Sequence, residues 1–343
     1  IKGIMCTPSP LSSTPIQKKI ALWFAKRDTF GSVESIAEDI IHMNRYSFSR
    51  IVPRPISEFR LIPEDPLSII VVNKLYKGDA LKFMQALQGK DPNDFSNRDF
   101  SNLMSLFVDM LHATHYAHSK GDILCDIKPE NILVEGAGRL RFAMADLGMT
   151  IAAKKAQANW ERFVQPHKGA IEQMLKDPVV KRMAPSTMHT PERYNETCRR
   201  FSLSPSPESI STLEKINKLR NRNLFERGTP LYMPPEEINF GRLTQAKDIF
   251  ALGCILDLAY SCIDGFKMKI YNLNLRTVFK GIANSMKHPD LNRRPSTAQV
   301  ITTLEKEILR KLPSEMGRDR LLDQSQALRK EMQMRPTKTR SKQ

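Results

Sequence analysis

Apolar positions follow two rhythms along this chain. Residues 18–28, KKIALWFAKRD, hold a compact apolar run of strand type, and SRIVPRPI and LSIIVVNKLY hold two more. Between the first and second of these, SVESIAEDIIHMNRY places Val33, Ile36, Ile40, Ile41 and Met43 at helical spacing, giving the order strand, helix, strand, strand. Downstream the rhythm turns helical. KGDALKFMQAL predicts a short helix, and FSNLMSLFVDMLHATHYAHSKG predicts a long amphipathic one. Two brief apolar runs then flank the turn-like EGAG, ILV before it and RLRFAMA after it, and predict a β-hairpin.

The stretch His118 to Gly148 gathers chemistry around that hairpin. Asp126, Lys128 and Asn131 share one short loop before it, and closing the hairpin returns Asp146 to the side of Asn131. A carboxylate beside an amide oxygen makes a hard oxygen site suited to Mg²⁺, which takes waters and substrate phosphates as its other ligands. Asp126 is then free to orient a hydroxyl and accept its proton, while Lys128 neutralises charge. Those are the parts phosphoryl transfer requires.

DIKPEN with DLG after it, behind an apolar helix, resembles the catalytic and metal-binding loops of the protein kinase family, H-R-D-x-K-x-x-N followed by D-F-G. The resemblance implies an α+β, bilobal fold: a small β-rich N-lobe, incomplete in its first strands, and a larger helical C-lobe. It implies ATP and Mg²⁺ as cofactors and a protein substrate, with Asp126 as base, Lys128 as charge stabiliser, and Asn131 and Asp146 as metal ligands. The sequence departs from the pattern at Leu124 and Cys125, just before Asp126, and at Leu147, inside the second motif.

The departures are larger upstream. Family members carry a Gly-rich loop before the third strand and a lysine on that strand, in a V-A-x-K pattern. Only Gly3 precedes the IALW run, so the loop is absent or altered. Aligning IALW on the pattern puts Ala21 on the alanine and Trp23 on the lysine. Strand alternation gives Lys26 the opposite parity, so it needs a bulge to reach the same face. Glu38, the candidate partner glutamate, lies 15 residues beyond Trp23 and 12 beyond Lys26. A tryptophan cannot supply a point charge to phosphate. An inactive, nucleotide-binding scaffold therefore stands as the alternative to a Ser/Thr kinase.

Farther on, GTPLYMPPEE resembles the loop that ends the activation segment. There Thr229 matches the threonine that bonds the catalytic aspartate and lysine in Ser/Thr-type members, and Glu236 matches the glutamate of A-P-E. Asp248 is expected to tie down the catalytic-loop backbone, and Arg294 to pair with Glu236 in a buried ion pair. The expected organisation is residues 1–18 irregular or a remnant of the first N-lobe strands, 19–76 the N-lobe and 77–304 the C-lobe. Residues 150–227 form a long insert in the C-lobe, and 305–343 a charged basic tail. In the insert, KGAIEQMLKD and STLEKINKLRNRN predict helices, while RRFSLSPSPES reads either as a flexible polar linker or as phosphorylation sites at Ser202, Ser204 and Ser206.

Composition narrows the setting. A hydrophobic content of 41% over 343 residues suffices for a packed core. Five scattered cysteines without C-x-x-C spacing point to reduced thiols and a cytoplasmic setting rather than disulfides or zinc. No apolar run is long enough for a transmembrane helix. The net charge of +16 favours acidic partners, with the basic tail as one contact surface, and the absence of an aromatic-interleaved basic motif argues against nucleic acid.

Overall fold

The computed structural model describes residues 2–9, 12–26, 55–62, 65–74, 76–91, 93–183, 190–221, 224, 227–264 and 275–333. Glu38 and the helix expected around it lie outside the described residues. Four strands, β1 (Lys2–Ser9), β2 (Ser12–Lys26), β3 (Pro55–Ile62) and β4 (Asp65–Lys74), form an antiparallel sheet in the order β1-β2-β4-β3. The Pro/Ser/Thr-rich opening, expected either as irregular chain or as a remnant of the first N-lobe strands, is a strand hairpin, with Gly3 opposite Ile20 and Met5 opposite Lys18. Its register shifts between Thr7 and Ser9, where Pro8 has no N–H to give the ladder. Ile and Thr on both strands suit the pleated geometry elsewhere.

A helical lobe follows. After β5 (Gly78–Asp79), Asp79 caps α1 (Ala80–Gln88) by accepting from the Lys82 N–H at 2.9 Å. The long helix α2 (Asn97–Ser119) starts at a capping box: Ser96 Oγ accepts from the Asp99 N–H at 3.2 Å and Asp99 accepts from the Ser96 N–H at 2.9 Å. Phe100, Leu103, Met104, Leu106, Phe107 and Met110 of α2 are buried, each contributing about 1.5–3 kcal/mol of transfer free energy. Next come β6 (Asp122–Ile123) and the hairpin β7 (Ile132–Glu135) and β8 (Arg141–Met144), in which Ile132 pairs with Met144. β9 (Ile151–Ala152) returns to pair with β6.

Between Ala153 and Arg220 the described residues are mostly helical and have their own core. Five helices, α3 (Ala153–Asn159), α4 (Lys168–Lys176), α5 (Pro178–Arg182), α6 (Pro191–Arg200) and α7 (Pro207–Arg220), supply most of an apolar cluster that includes Ile171, Met174, Tyr194, Leu213 and Ile216. Of RRFSLSPSPES, expected as a flexible polar linker or as phosphorylation sites, residues 201–206 connect α6 to α7 and the remainder lies in those helices. The expected helices are present as α4 and α7. Asp177-Pro178, Thr190-Pro191 and Ser206-Pro207 open α5, α6 and α7, with each capping oxygen accepting from the backbone two or three residues on. The carboxylate of Asp177 joins these openings, accepting from Tyr194 Oη at 2.7 Å and Ser209 Oγ at 2.6 Å. Burial works against its ionisation, but these bonds and the backbone N–H groups of Val179 and Val180 hold its pKa below the usual carboxylate range.

The chain closes with α8 (Pro235–Phe240), α9 (Gln245–Asp264), α10 (Leu275–Met286), α11 (Thr297–Glu307) and α12 (Arg318–Gln333). The last of these lies in the region expected to be a charged tail. It packs instead on α2, burying Leu321, Ser325 and Leu328 on one narrow stripe. Arg320 donates to Ser101 O at 3.0 Å and to Ser105 Oγ at 3.1 Å. Among the described residues no helix is long and apolar enough to cross a membrane.

Candidate active site

The loop between β6 and β7 carries Asp126, Lys128 and Asn131. Its backbone is fixed from below by Asp248 on α9, which accepts from the N–H groups of Leu124 at 2.8 Å and Cys125 at 3.0 Å, and from His118 Nε2 at 2.9 Å. This grip holds Cys125 at a φ of +70°, in the left-handed region. Among the described residues only Cys125, Asp146 and Ser202 are non-glycine positions with positive φ, and two of these flank the loop and hairpin that carry the site. Such positions cost about 1–3 kcal/mol each and persist where surrounding structure over-determines them. The Cys125 side chain is buried and its thiol pKa is pushed far up by desolvation, so it fills space as a neutral group.

Three side chains close a ring above that loop. Thr229 Oγ1 donates to Asp126 Oδ1 at 2.8 Å, Lys128 Nζ lies 2.7 Å from Asp126 Oδ2, and Lys128 Nζ donates to Thr229 Oγ1 at 3.0 Å. Asn131 Nδ2 donates to both the backbone oxygen and Oδ2 of Asp126, each at 3.0 Å. Thr229 comes from a segment about a hundred positions away, and Gly228 just before it allows the approach. At a φ of +107°, a Cβ on Gly228 would stand 2.5 Å from Cys125 O.

The hairpin returns Asp146 to Asn131 as its spacing requires. The Ala145 N–H donates to Asn131 O at 2.8 Å, which sets Asp146 next to the loop. Partial desolvation raises the pKa of the solvent-reachable Asp146 and the charge of Asp126 raises it further, against partial relief from Lys128 and the Gly148 N–H. Two neighbouring carboxylates with that deficit, beside an amide oxygen, fit a divalent cation. Among the described residues no three His, Cys, Asp or Glu side chains form a metal site by themselves. A cation here would take its other ligands from water and phosphate.

Around this centre the segment is pinned twice. Arg294, with its side chain fully buried, holds Glu236 through Nη1 to Oε1 at 2.6 Å and Nη2 to Oε2 at 2.8 Å. The second pin has no counterpart in the sequence reading: Lys247 pairs with Glu237, both fully enclosed, and the Arg227 N–H donates to Glu237 Oε1 at 2.9 Å. Gly228, Glu237 and Lys247 were all missed. The φ and close approach of Gly228 are three-dimensional properties, but the adjacency of Lys247 to Asp248 was a usable signal.

The small sheet bears on the remaining expectations. β2 pairs with β4 from Ile20 to Lys26 without a register shift, with Trp23 opposite Val71 and Lys26 opposite Ser68. No bulge lies in that pairing, so Trp23 and Lys26 keep opposite parity along the strand. Glu38 lies outside the described residues.

No protein-family model matches the chain. It is similar to the serine/threonine-protein kinase ppk31 of Schizosaccharomyces pombe, with 22% identity over 271 residues, 70% of this chain and 25% of that protein. It is also similar to the CBL-interacting serine/threonine-protein kinase 16 of Arabidopsis thaliana, 30% identical over 35% of this chain and 23% of the relative. Serine/threonine-protein kinase sid2 of Schizosaccharomyces pombe is 25% identical over 50% of this chain and 22% of its own length. The chain spans about a quarter of the length of these curated relatives.

Proposed function

We infer that the chain carries a divergent protein-kinase-like domain, similar as it is to several serine/threonine-protein kinases, and that it transfers the γ-phosphoryl group of ATP to a serine or threonine hydroxyl of a protein substrate. The observation that carries this reading is the ring of Asp126, Lys128 and Thr229. An ionised carboxylate has about four lone-pair positions. On Asp126 the side chains of Thr229, Lys128 and Asn131 occupy three of them. The fourth serves the incoming hydroxyl, which Asp126 orients and whose proton it accepts. Lys128, held within reach of both Asp126 and Thr229, offsets negative charge developing on the transferring group. Asn131 and Asp146 would hold Mg²⁺, which neutralises phosphate charge when bound. The involvement of Thr229 and Lys128 favours a serine or threonine acceptor, following the family resemblance.

Incubating the full chain with γ-labelled ATP, Mg²⁺ and a serine/threonine peptide library tests the reading. Transfer that disappears in Asp126→Asn supports it. A second reading, a nucleotide-binding scaffold without transfer, is favoured by one observation: the unshifted β2–β4 register leaves Lys26 out of parity with Trp23. Nucleotide binding without transfer, unchanged in Asp126→Asn, would select that alternative.

A further inference from the structure

Leu124 and Cys125 put no arginine immediately before Asp126 in the chain. Thr229 Oγ1 lies 2.8 Å from Asp126 Oδ1. The buried Lys247–Glu237 pair holds the start of the segment that carries Thr229. Glu237 accepts from the Arg227 N–H at 2.9 Å, and Lys247 Nζ donates to the carbonyl oxygen of the same residue. One ion pair therefore takes both backbone polar groups of Arg227. Its guanidinium adds a third tie, donating from Nη1 to Met149 O at 3.1 Å. Arg227 gripped this way leaves Gly228 pressed against Cys125 O and delivers Thr229 to Asp126.

The pair is well suited to that task. Lys247 and Glu237 are 1% and 0% exposed, so their attraction is little screened by solvent and salt. Desolvation opposes the Lys247 charge, but Glu237 overrides it and the ammonium pKa is raised. Lys247 also precedes Asp248, whose carboxylate holds the backbone of Leu124 and Cys125. Two consecutive residues on α9 thus fix both halves of the Asp126–Thr229 contact, one through the loop and one through the segment.

We propose that Lys247 and Glu237 are a built-in clamp that positions Thr229 over Asp126 without phosphorylation of the segment. They are positioning residues, since neither touches the reacting groups. The proposal rests on the phosphotransfer reading, and the experiment separates the two. Phosphatase-treated full chain is compared with Lys247→Met/Glu237→Leu, which removes both charges together and so strands neither, and with the milder Glu237→Gln. Hydrogen exchange at residues 228–232 and the kcat and KM for peptide phosphorylation are measured in each.

The treated wild type should keep slow exchange at 228–232 and full transfer. The double variant should exchange there at least tenfold faster, with α9 still protected and kcat falling at least tenfold at unchanged KM for ATP. Glu237→Gln should fall between the two. Unchanged exchange at 228–232 in both variants, or loss of wild-type transfer on phosphatase treatment, overturns the clamp. A wild type that transfers nothing in any state sinks the phosphotransfer reading, while the exchange arm still decides whether the pair holds the segment.

Discussion

The Asp126 loop and the helical insert lie in the same lobe and are held by opposite means. Around Asp126 the contacts are polar and aimed: Asp248 on two backbone N–H groups, Glu236 on Arg294, Lys247 on Glu237, and Thr229 on Asp126. In the insert the contacts are apolar and cumulative, with Leu213, Ile171 and Tyr194 fully buried and Asp177 as the polar hub. Aimed polar contacts fix individual atoms, which a reaction needs, but each fails badly when one partner is lost. Apolar packing tolerates exchange of shapes and keeps an element folded without dictating any atom's position.

The sharpest way to break this contrast is to remove one partner on the polar side. Arg294→Leu strands the Glu236 carboxylate inside the lobe and should cost on the order of 3–5 kcal/mol, read from urea unfolding. On the apolar side, Leu213→Ala should cost roughly 2–5 kcal/mol through the cavity it leaves. Its loss of hydrogen-exchange protection should be confined to residues 153–220, with the protection around Asp126 retained. A spread of that effect into the Asp126 loop would erase the distinction drawn between the regions.

A smaller effect tests the polar hub of the insert. Tyr194→Phe removes the hydroxyl that donates to Asp177 and accepts from the Ser206 N–H at 3.0 Å, at a cost of about 1–3 kcal/mol. Because the folded-state pKa of Asp177 is lowered, its contribution to stability is present above the ordinary carboxylate pKa of about 4 and is lost as pH falls through the depressed folded value. Acid unfolding of the insert, followed by circular dichroism, should therefore begin at higher pH in Tyr194→Phe. The smallest change has the opposite sign. The folded-state pKa of Asp146 is raised, so its stabilising contribution is present only below the ordinary carboxylate pKa and is lost as pH rises through the folded value. At neutral pH Asp146→Asn should raise the Tm of metal-free protein and abolish the Tm increase caused by Mg²⁺, both visible in a thermal scan.

How much was legible in the sequence follows the same divide. Asp126, Lys128, Asn131 and Asp146 could be found because loop and hairpin geometry ties their roles to short spacings. Thr229, Asp248, Glu236 and Arg294 were reachable only through the family resemblance, since nothing local links residues a hundred positions apart. The insert was half hidden. Two of its helices show apolar periodicity, but α6, PERYNETCRR, buries only Tyr194 and Cys198. Ser206-Pro207, expected as a modification site, is also a helix cap followed by proline at the first turn. The stripe of α12 was lost in a charged average for the same reason. Lys247 and Glu237 were not singled out, because burial of a paired charge leaves little mark on a linear sequence.

The central claim is that Asp126 acts on a bound hydroxyl. Its most direct measurement is single-turnover transfer of the γ-phosphoryl group from Mg-ATP to a serine peptide, comparing the full chain with Asp126→Asn at saturating nucleotide. The account predicts measurable transfer by the wild type and a drop of roughly 10²–10⁴-fold in the rate constant for the variant, with nucleotide affinity preserved. Equal rates in the two proteins, or binding of Mg-ATP with no transfer by either, would contradict it.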